Sequence, residues 1–191
     1  MSIICFIGSM GAGKTFYANM IKNLIPNSSI HNISSKLKEV AATLFNCNIN
    51  DLKTTSGKEK LWKYNLSQGR VLQLLGEACC NKISKTIWID ELLSSIKTIC
   101  TVSPNHVIII DDLRYIHELN ELEKFCTIYN KKLLIVLVER KQNKDNKYDA
   151  GRDPNHSSEQ EYLKITPNLI IDNTLSSKTN VNLIMSAYHK K

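Results

Sequence analysis

The sequence predicts an α/β protein whose central parallel sheet is covered by helices on both faces. Three observations predict it. The strand-like segments are short and almost continuously apolar, they alternate with helix-like segments, and a glycine-rich loop follows the first of them. Strands covered on both faces have such unbroken apolar runs. Strands that alternate with helices are typical of a doubly wound, three-layer sheet.

Length and composition agree with one domain. The chain has 191 residues, of which 42% are hydrophobic and 23% charged, which excludes disordered and collagen-like chains. We expect a single domain over 1–191 with one core. No apolar run reaches the roughly 18 residues of a membrane span, so we expect a cytoplasmic protein that does not use a membrane. The net charge of +7 suits an anionic ligand but does not say which one.

The elements follow from apolar patterning. The predicted strands are Ile3–Ile7, Ser29–Ile33, Val107–Ile110, Leu133–Val138 and Leu169–Ile171. Apolar residues at helical spacing predict the helices Lys14–Leu24, Ser35–Phe45, Leu66–Cys80, Asp90–Ile99, Ile116–Tyr129 and Val181–His189. In the second helix this spacing predicts a buried face of Leu37, Val40, Ala41 and Leu44.

A phosphate-binding loop joins the first strand to the first helix. Residues 8–15 read Gly-Ser-Met-Gly-Ala-Gly-Lys-Thr and fit G-x-x-x-x-G-K-[ST] in the structural context that this motif requires. Gly11, Ala12 and Gly13 let successive backbone N–H groups point inward at the helix N-terminus, where they bind phosphate. We expect Lys14 to reach the β- and γ-phosphates and Thr15 to bind Mg²⁺. The loop predicts a nucleoside triphosphate site without naming the group that receives the phosphate.

Two carboxylates end the third strand. Asp111 and Asp112 follow Val107–Ile110 directly, and the carboxyl ends of parallel strands border the ligand crevice in open α/β sheets. We expect one of them to hold Mg²⁺ or its water shell. The other carboxylate has an alternative role, which is to cap the next helix.

Three polar residues share one face of the helix Leu66–Cys80. Arg70, Gln73 and Glu77 lie at i, i+3 and i+7 and predict an acceptor site, with a solvated face as the alternative. Trp62, Tyr64 and Trp88 are candidates to stack on a base, although such aromatics are more often core residues. The lysines Lys58, Lys60 and Lys63 predict a solvated face, with attraction of a nucleotide as the alternative.

Only four of the 25 basic residues are arginines: Arg70, Arg114, Arg140 and Arg152. Arg140 and Arg152 bracket a polar stretch without periodicity, Glu139–Gln160. A segment of this kind is often functional, and phosphoryl transfer uses arginines on a closing segment. We therefore expect a mobile lid at about 139–161, with two surface arginines as the alternative.

Together these motifs resemble the P-loop deoxynucleoside monophosphate kinases of bacteriophages and large DNA viruses. The resemblance extends over most of the chain and is carried by the phosphate loop and by the segments 35–45, 69–77, 112–118, 156–159 and 170–173. One departure is that Cys79, Cys80 and Asn81 stand where family members often carry an arginine.

The resemblance implies a viral-type enzyme that transfers the γ-phosphate of ATP to a deoxynucleoside 5′-monophosphate with Mg²⁺. It implies an acceptor-binding helical region at about 34–100. The implied substrate-binding residues are Lys36, Arg70, Gln73, Glu77, Trp88, Asp112 and Arg114. Lys14, Arg140 and Arg152 would act in transfer, Asn173 would lie near the ATP base, and Thr15 with Asp111 or Asp112 would bind the metal.

Two other functions remain open. One is a P-loop kinase of another small phosphorylated acceptor, such as phosphomevalonate. The other is a P-loop NTPase that acts on nucleic acid. The length does not suggest a second domain that could move a partner, so we do not expect a nucleic-acid partner. Monomer and homodimer both stay open.

Overall fold

The computed structural model describes residues 2–62, 65–140 and 152–190. Its strands are β1 (Ser2–Ile7), β2 (Ser28–His31), β3 (Val107–Ile110), β4 (Lys132–Glu139) and β5 (Leu169–Asp172). Its α-helices are α1 (Lys14–Leu24), α2 (Ser35–Phe45), α3 (Thr55–Glu59), α4 (Gln68–Lys82), α5 (Ile87–Val102), α6 (Ile116–Ile128) and α7 (Ser177–Lys190). Short 3-10 turns lie at Asp51–Lys53, Ser157–Glu159 and Glu161–Lys164.

The five strands form one parallel sheet in the order β2-β3-β1-β4-β5. The central strand β1 is buried along its whole length, with Ile4 aligned between Ile109 and Leu134. Because β1 is covered on both faces, both sets of its alternating side chains are apolar. The predicted α/β class with a parallel sheet is confirmed.

Alternate residues of the strands build two separate cores. On one face, Ile3 and Ile110 pack with Ile96 of α5 and Leu122 of α6. On the other face, Ile4 and Phe6 pack with Tyr17 of α1 and Ile184 of α7. Helices therefore cover both faces of the sheet, as the sequence predicted. No helix in the described ranges is long and apolar enough to cross a membrane.

The helices α2 and α4 and the 3-10 turn Asp51–Lys53 form a smaller hydrophobic cluster of their own. Ala41, Leu52 and Leu72 are its buried centre. The predicted buried face of α2 is wrong in part, because Val40 is 38% and Leu44 62% exposed. Helix α2 packs against the protein through a narrow stripe of residues four positions apart. The apolar residues beside this stripe therefore remain at the surface.

Some helix boundaries differ from the predictions for local reasons. Helix α4 begins at Gln68 because the Ser67 hydroxyl accepts a hydrogen bond from the backbone N–H of Arg70 at 3.1 Å and caps it. Helix α5 begins one turn before the predicted residue. Helix α3 was not predicted, since five residues with one glycine carry no apolar period.

Candidate active site

The phosphate loop leaves the carboxyl end of β1 and turns sharply into α1. Gly8 has a φ of 137°, and a Cβ there would lie 2.5 Å from the carbonyl oxygen of Val138 on β4. Gly13 has a φ of 106°, and a Cβ there would lie 2.5 Å from Nδ2 of Asn173. Only glycine tolerates such backbone angles with such close neighbours. Both glycines of the motif are therefore required by the packing of the loop.

Lys14 lies over this loop. Its ammonium donates hydrogen bonds to the carbonyl oxygens of Gly8 at 2.8 Å and Ser9 at 2.7 Å. The side chain is almost fully buried. Burial, with the nearby charge of Arg114, lowers the pKa of Lys14 to about 7. An anion bound at the loop would favour the charged form of this lysine.

Asn173, directly after β5, holds the phosphate loop in place. Its Nδ2 donates to the carbonyl oxygen of Ala12 at 2.7 Å, and its Oδ1 accepts from the Tyr17 hydroxyl at 2.9 Å. Asn180 donates to the same hydroxyl at 2.8 Å. Both ends of the Asn173 amide thus have partners within the protein, and this side chain positions the backbone of the loop.

The two carboxylates after β3 have different neighbours. Asp111 accepts a hydrogen bond from the Thr15 hydroxyl at 2.6 Å, and its second oxygen accepts from the side chain of Asn32. Burial and the adjacent charge of Asp112 raise the pKa of Asp111. A cation beside Asp111 and Thr15 would therefore relieve an unfavourable buried charge.

Asp112 instead anchors the segment before α2. It accepts from the backbone N–H groups of Ile33 at 2.7 Å and Ser34 at 3.0 Å, and from the Ser34 hydroxyl at 2.6 Å. This fixes the start of α2 at the edge of the site. The carboxylate thus anchors the segment that leads into α2, whereas the alternative in the sequence was a cap on the helix that follows β3.

The polar face of α4 holds residues 153–156, near the end of the predicted lid. Gln73 forms a reciprocal pair with the backbone of Asp153, at 3.1 Å and 2.9 Å. Arg70 makes an ion pair with the Asp153 carboxylate at 3.5 Å, and Glu77 contacts Nε2 of His156 at 3.2 Å. The three residues do share one face, and they all contact residues 153–156. Of the predicted lid, residues 141–151 lie outside the described residues.

Two arginines meet one buried carboxylate beside this segment. Arg114 donates to Oε1 of Glu159 at 2.5 Å, and Arg152 donates to the same oxygen at 3.2 Å. Arg114 also donates to the carbonyl oxygen of Ser158 at 2.9 Å. The side chains of Arg114, Arg152 and Glu159 are only 19%, 12% and 7% exposed. A guanidinium provides several donors in one plane, which a lysine could not replace here.

Glu118 fixes the backbone that carries Arg114. Its Oε2 accepts from the N–H groups of Arg114 at 2.9 Å and Tyr115 at 3.1 Å. Burial raises the pKa of Glu118 to about 8, although these two hydrogen bonds oppose the shift. Between the ordinary pKa of a glutamate and a pH of about 8, Glu118 is therefore protonated in the folded protein and ionised in the unfolded chain.

We expect Glu118 to make the protein less stable as the pH rises from about 5 to 8. In this interval the folded state holds more protons than the unfolded state, so the free energy of unfolding falls with pH. Glu118→Gln, which does not titrate, should show a flatter pH dependence in urea unfolding between these values. Parallel curves for the two proteins would contradict the shifted pKa.

One cleft of about 950 Å³ joins these groups. The predicted site residues that line it are Gly11, Gly13, Lys14, Thr15, Gln73, Glu77, Trp88, Asp111, Asp112, Arg114 and Arg152. Trp88 belongs to the hydrophobic core and also lines the cleft. It is buried, and its indole N–H donates to the Gly76 carbonyl oxygen at 3.2 Å.

Other predicted residues lie outside the lining of this cleft. Lys36 makes an exposed ion pair with Glu39 at 3.3 Å. Arg140 is exposed and donates to the carbonyl oxygen of Gly11 at 3.4 Å, on the outside of the loop. Three further residues, Ala12, Arg70 and Asn173, do not line the cleft. Asn173 hydrogen-bonds to Ala12, and Arg70 makes its ion pair with Asp153. Trp62 stacks on Phe45 with ring centres 4.6 Å apart, and Lys63 and Tyr64 lie outside the described residues.

No protein-family model and no curated protein matches this chain. Solved structures do match it. The APS kinase of Mycobacterium tuberculosis in complex with AMPPNP and APS aligns with a TM-score of 0.53 over 98% of this chain and 97% of that chain, at 9% identity. A sugar kinase from Janibacter sp. aligns with a TM-score of 0.52 over 99% and 95%, at 10% identity.

The chain has a P-loop kinase fold. The alignments extend over nearly the full length of each chain, and the phosphate loop lies where β1 meets α1. The resemblance to kinases is thereby supported at the level of the fold. The likeness at 9% and 10% identity concerns the fold alone and leaves the acceptor open.

Two lysines of the cleft were missed from the sequence. Lys38 on α2 and Lys58 on α3 both line it, whereas the sequence favoured a solvated face for Lys58 with attraction of a nucleotide as the alternative. Burial lowers the pKa of Lys38, and burial with the charges of Arg152 and Lys38 lowers that of Lys58 to about 7. The signal for Lys38 was its place in the segment 35–45, which carries the resemblance to the kinases. Lys58 had no such signal, because its helix was not predicted.

Proposed function

We propose that this chain is an ATP-dependent kinase that phosphorylates a deoxynucleoside 5′-monophosphate. The observation that carries the proposal is the single cleft in which the phosphate loop faces a second group of cations. A kinase must hold two anionic substrates next to each other with their reacting atoms aligned. The kinase fold supports phosphoryl transfer, and the resemblance of the motifs supports the choice of acceptor.

The phosphate loop would bind the triphosphate. The backbone N–H groups of residues 11–15 open the N-terminus of α1, where anions are stabilised. Lys14 would move its ammonium from the carbonyl oxygens of Gly8 and Ser9 to the β- and γ-phosphates. Asn173 would keep the loop in shape while this exchange occurs.

Mg²⁺ fits the residues at the end of β3. It prefers oxygen ligands and keeps several waters, and the Thr15 hydroxyl lies 2.6 Å from a carboxylate oxygen of Asp111. We assign the cation to Thr15 and Asp111, because the oxygens of Asp112 already accept from residues 33 and 34. When bound, the cation would neutralise charge on the phosphate oxygens.

The arginines of the cleft would stabilise the γ-phosphoryl group during its transfer. An oxygen of the acceptor phosphate forms the new bond to the γ-phosphorus, the bond to the β–γ bridging oxygen breaks, and ADP leaves. Arg114 and Arg152 are buried beside this path and would bind the charge that spreads over the moving phosphoryl oxygens. Gln73, Arg70 and Glu77 would keep the segment of Arg152 closed over the cleft and exclude water.

We expect ATP consumption to depend on an added deoxynucleoside monophosphate. The measurement is coupled ADP release with each of the four common deoxynucleoside monophosphates, with phosphomevalonate, and with single-stranded DNA. At least one of the four nucleotides should stimulate turnover, and DNA should not. Rapid hydrolysis that none of these additions changes would contradict a kinase, and stimulation by phosphomevalonate alone would move the proposal to that acceptor class.

A further inference from the structure

Lys38 and Lys58 reach the cleft from two helices opposite the phosphate loop. Lys38 lies in the first turn of α2 and Lys58 near the end of α3. Neither ammonium has a hydrogen bond or ion pair with another residue of the described ranges. Side chains that carry a charge into a cleft without a protein partner are suited to a charged ligand.

The acidic groups near these lysines already have other partners. Asp111 accepts from Thr15, Asp112 from the backbone of residues 33 and 34, and Glu159 from two arginines. The charges that act on Lys58 are those of Arg152, Lys38, Arg114 and Asp112. Three of these four charges are positive, so they repel the charged form of Lys58 in the free protein, and a bound dianion would relieve this repulsion.

The helix that carries Lys58 is anchored tightly. Gly57 lies so close to the preceding turn that a Cβ would lie 2.1 Å from the carbonyl oxygen of Asp51. The Thr54 hydroxyl caps the helix by accepting from the N–H of Gly57 at 3.1 Å. Lys60 pairs with the Asp51 carboxylate at 2.9 Å. The backbone at Lys58 is therefore held in place before any ligand arrives, which lowers the entropic cost of binding.

We propose that Lys38 and Lys58, together with Arg114 and Arg152, hold the phosphate that the acceptor already carries. The acceptor is then a phosphomonoester, and a neutral alcohol would not use this set of cations. The inference rests on the proposed kinase function. The experiments below can refute the phosphate site and the kinase function separately.

The first measurement is steady-state kinetics with the best deoxynucleoside monophosphate. Lys58→Ala should raise the KM for this acceptor by roughly 10- to 100-fold, the loss expected for a hydrogen bond between charged groups. The KM for ATP should change less than about twofold, since the triphosphate binds at the other end of the cleft. Lys58→Arg should restore most of the affinity, because it keeps the charge.

Lys97→Ala is the matched control, because Lys97 is an exposed residue of α5 that does not line the cleft. It also removes one positive charge, so any general effect of net charge on substrate attraction would appear in both variants. An unchanged acceptor KM in Lys58→Ala, in an enzyme that does phosphorylate the nucleotide, would overturn the phosphate site and leave the kinase in place.

The second measurement does not need turnover. Calorimetric titration of the protein with dTMP and with inorganic phosphate, at pH 8 in two buffers of different ionisation enthalpy, reports protons taken up on binding. Lys58 is largely neutral at this pH and should take up a proton when the dianion binds. Wild type should show this uptake, and Lys58→Arg should bind with less of it.

This titration separates the two hypotheses. If no nucleotide is phosphorylated but Lys58→Ala still weakens phosphate binding by about tenfold or more, the anion site stands and the proposed acceptor is wrong. If wild type and Lys58→Ala bind both probes equally, or if wild type binds neither, the site is refuted. A thermal melt checks each variant, and Lys58→Ala should melt no lower than wild type, because it removes a repelled charge.

Discussion

Lys14→Met should lower kcat by about 10²- to 10³-fold, the loss typical when one preorganised transition-state contact is removed. Methionine has nearly the length of lysine and keeps the apolar stem, so the change removes mainly the ammonium. In the free protein this ammonium lies 2.8 Å and 2.7 Å from the carbonyl oxygens of Gly8 and Ser9. It is already poised at the loop and needs only a short movement to reach a γ-phosphate.

The measurement is acceptor-dependent ADP release at saturating substrate concentrations. The control is thermal unfolding, which should show a folded variant, because Lys14 is almost fully buried and burial lowers its pKa to about 7. Replacing it with an apolar side chain removes a desolvation penalty and so limits any loss of stability. A variant with near-normal turnover would show that the loop does not bind the reacting phosphate as proposed.

Glu159→Gln should lower the free energy of unfolding by about 3 kcal/mol, in the range found when one partner of a buried ion pair is removed. One oxygen of Glu159 accepts from Arg114 at 2.5 Å and from Arg152 at 3.2 Å. Without the charge of Glu159, the largely buried guanidinium groups of Arg114 and Arg152 repel each other and the nearby Lys58. Solvent screens this repulsion little, since all three side chains of the ion pairs are mostly covered.

Urea unfolding at neutral pH measures the change. Glu39→Gln is the matched control, since it breaks the exposed ion pair with Lys36 and should lower stability by about 0–1 kcal/mol. Added inorganic phosphate should stabilise Glu159→Gln more than wild type, because the two arginines no longer have their carboxylate. Equal losses in the two variants would mean that Glu159 contributes no more than a surface ion pair.

The sheet and the phosphate loop could be predicted because their signals are local. Six consecutive buried residues mark β1, and all residues of the loop lie between 8 and 15. The backbone angles of Gly8 and Gly13 are demanded by that short turn itself. Helices α1 and α2 begin and end at the predicted residues for the same reason, since their apolar spacing extends over three turns.

The parts that could not be predicted depend on contacts between distant residues. Helix α3 has no apolar period and is held mainly by Gly57 against Asp51. Because this helix was not predicted, no pattern indicated that Lys58 faces the cleft. Val40 and Leu44 fit the spacing of a buried face, but too little of the protein covers them. Periodicity identifies residues suited to burial, and only the neighbours decide which are buried.

The sequence by itself determined the α/β class, the parallel sheet with helices on both faces, and a loop able to bind a triphosphate. The tertiary structure decided how the remaining polar residues are used. Thr15 meets Asp111 across 96 positions of sequence, and Gln73 meets the backbone of Asp153 across 80. Such pairs arise from the order of strands and the packing of helices. The sequence left the choice between Asp111 and Asp112 open and indicated no partner for Gln73, because a side chain's hydrogen-bond partners depend on which distant segments the fold brings within 3 Å or so.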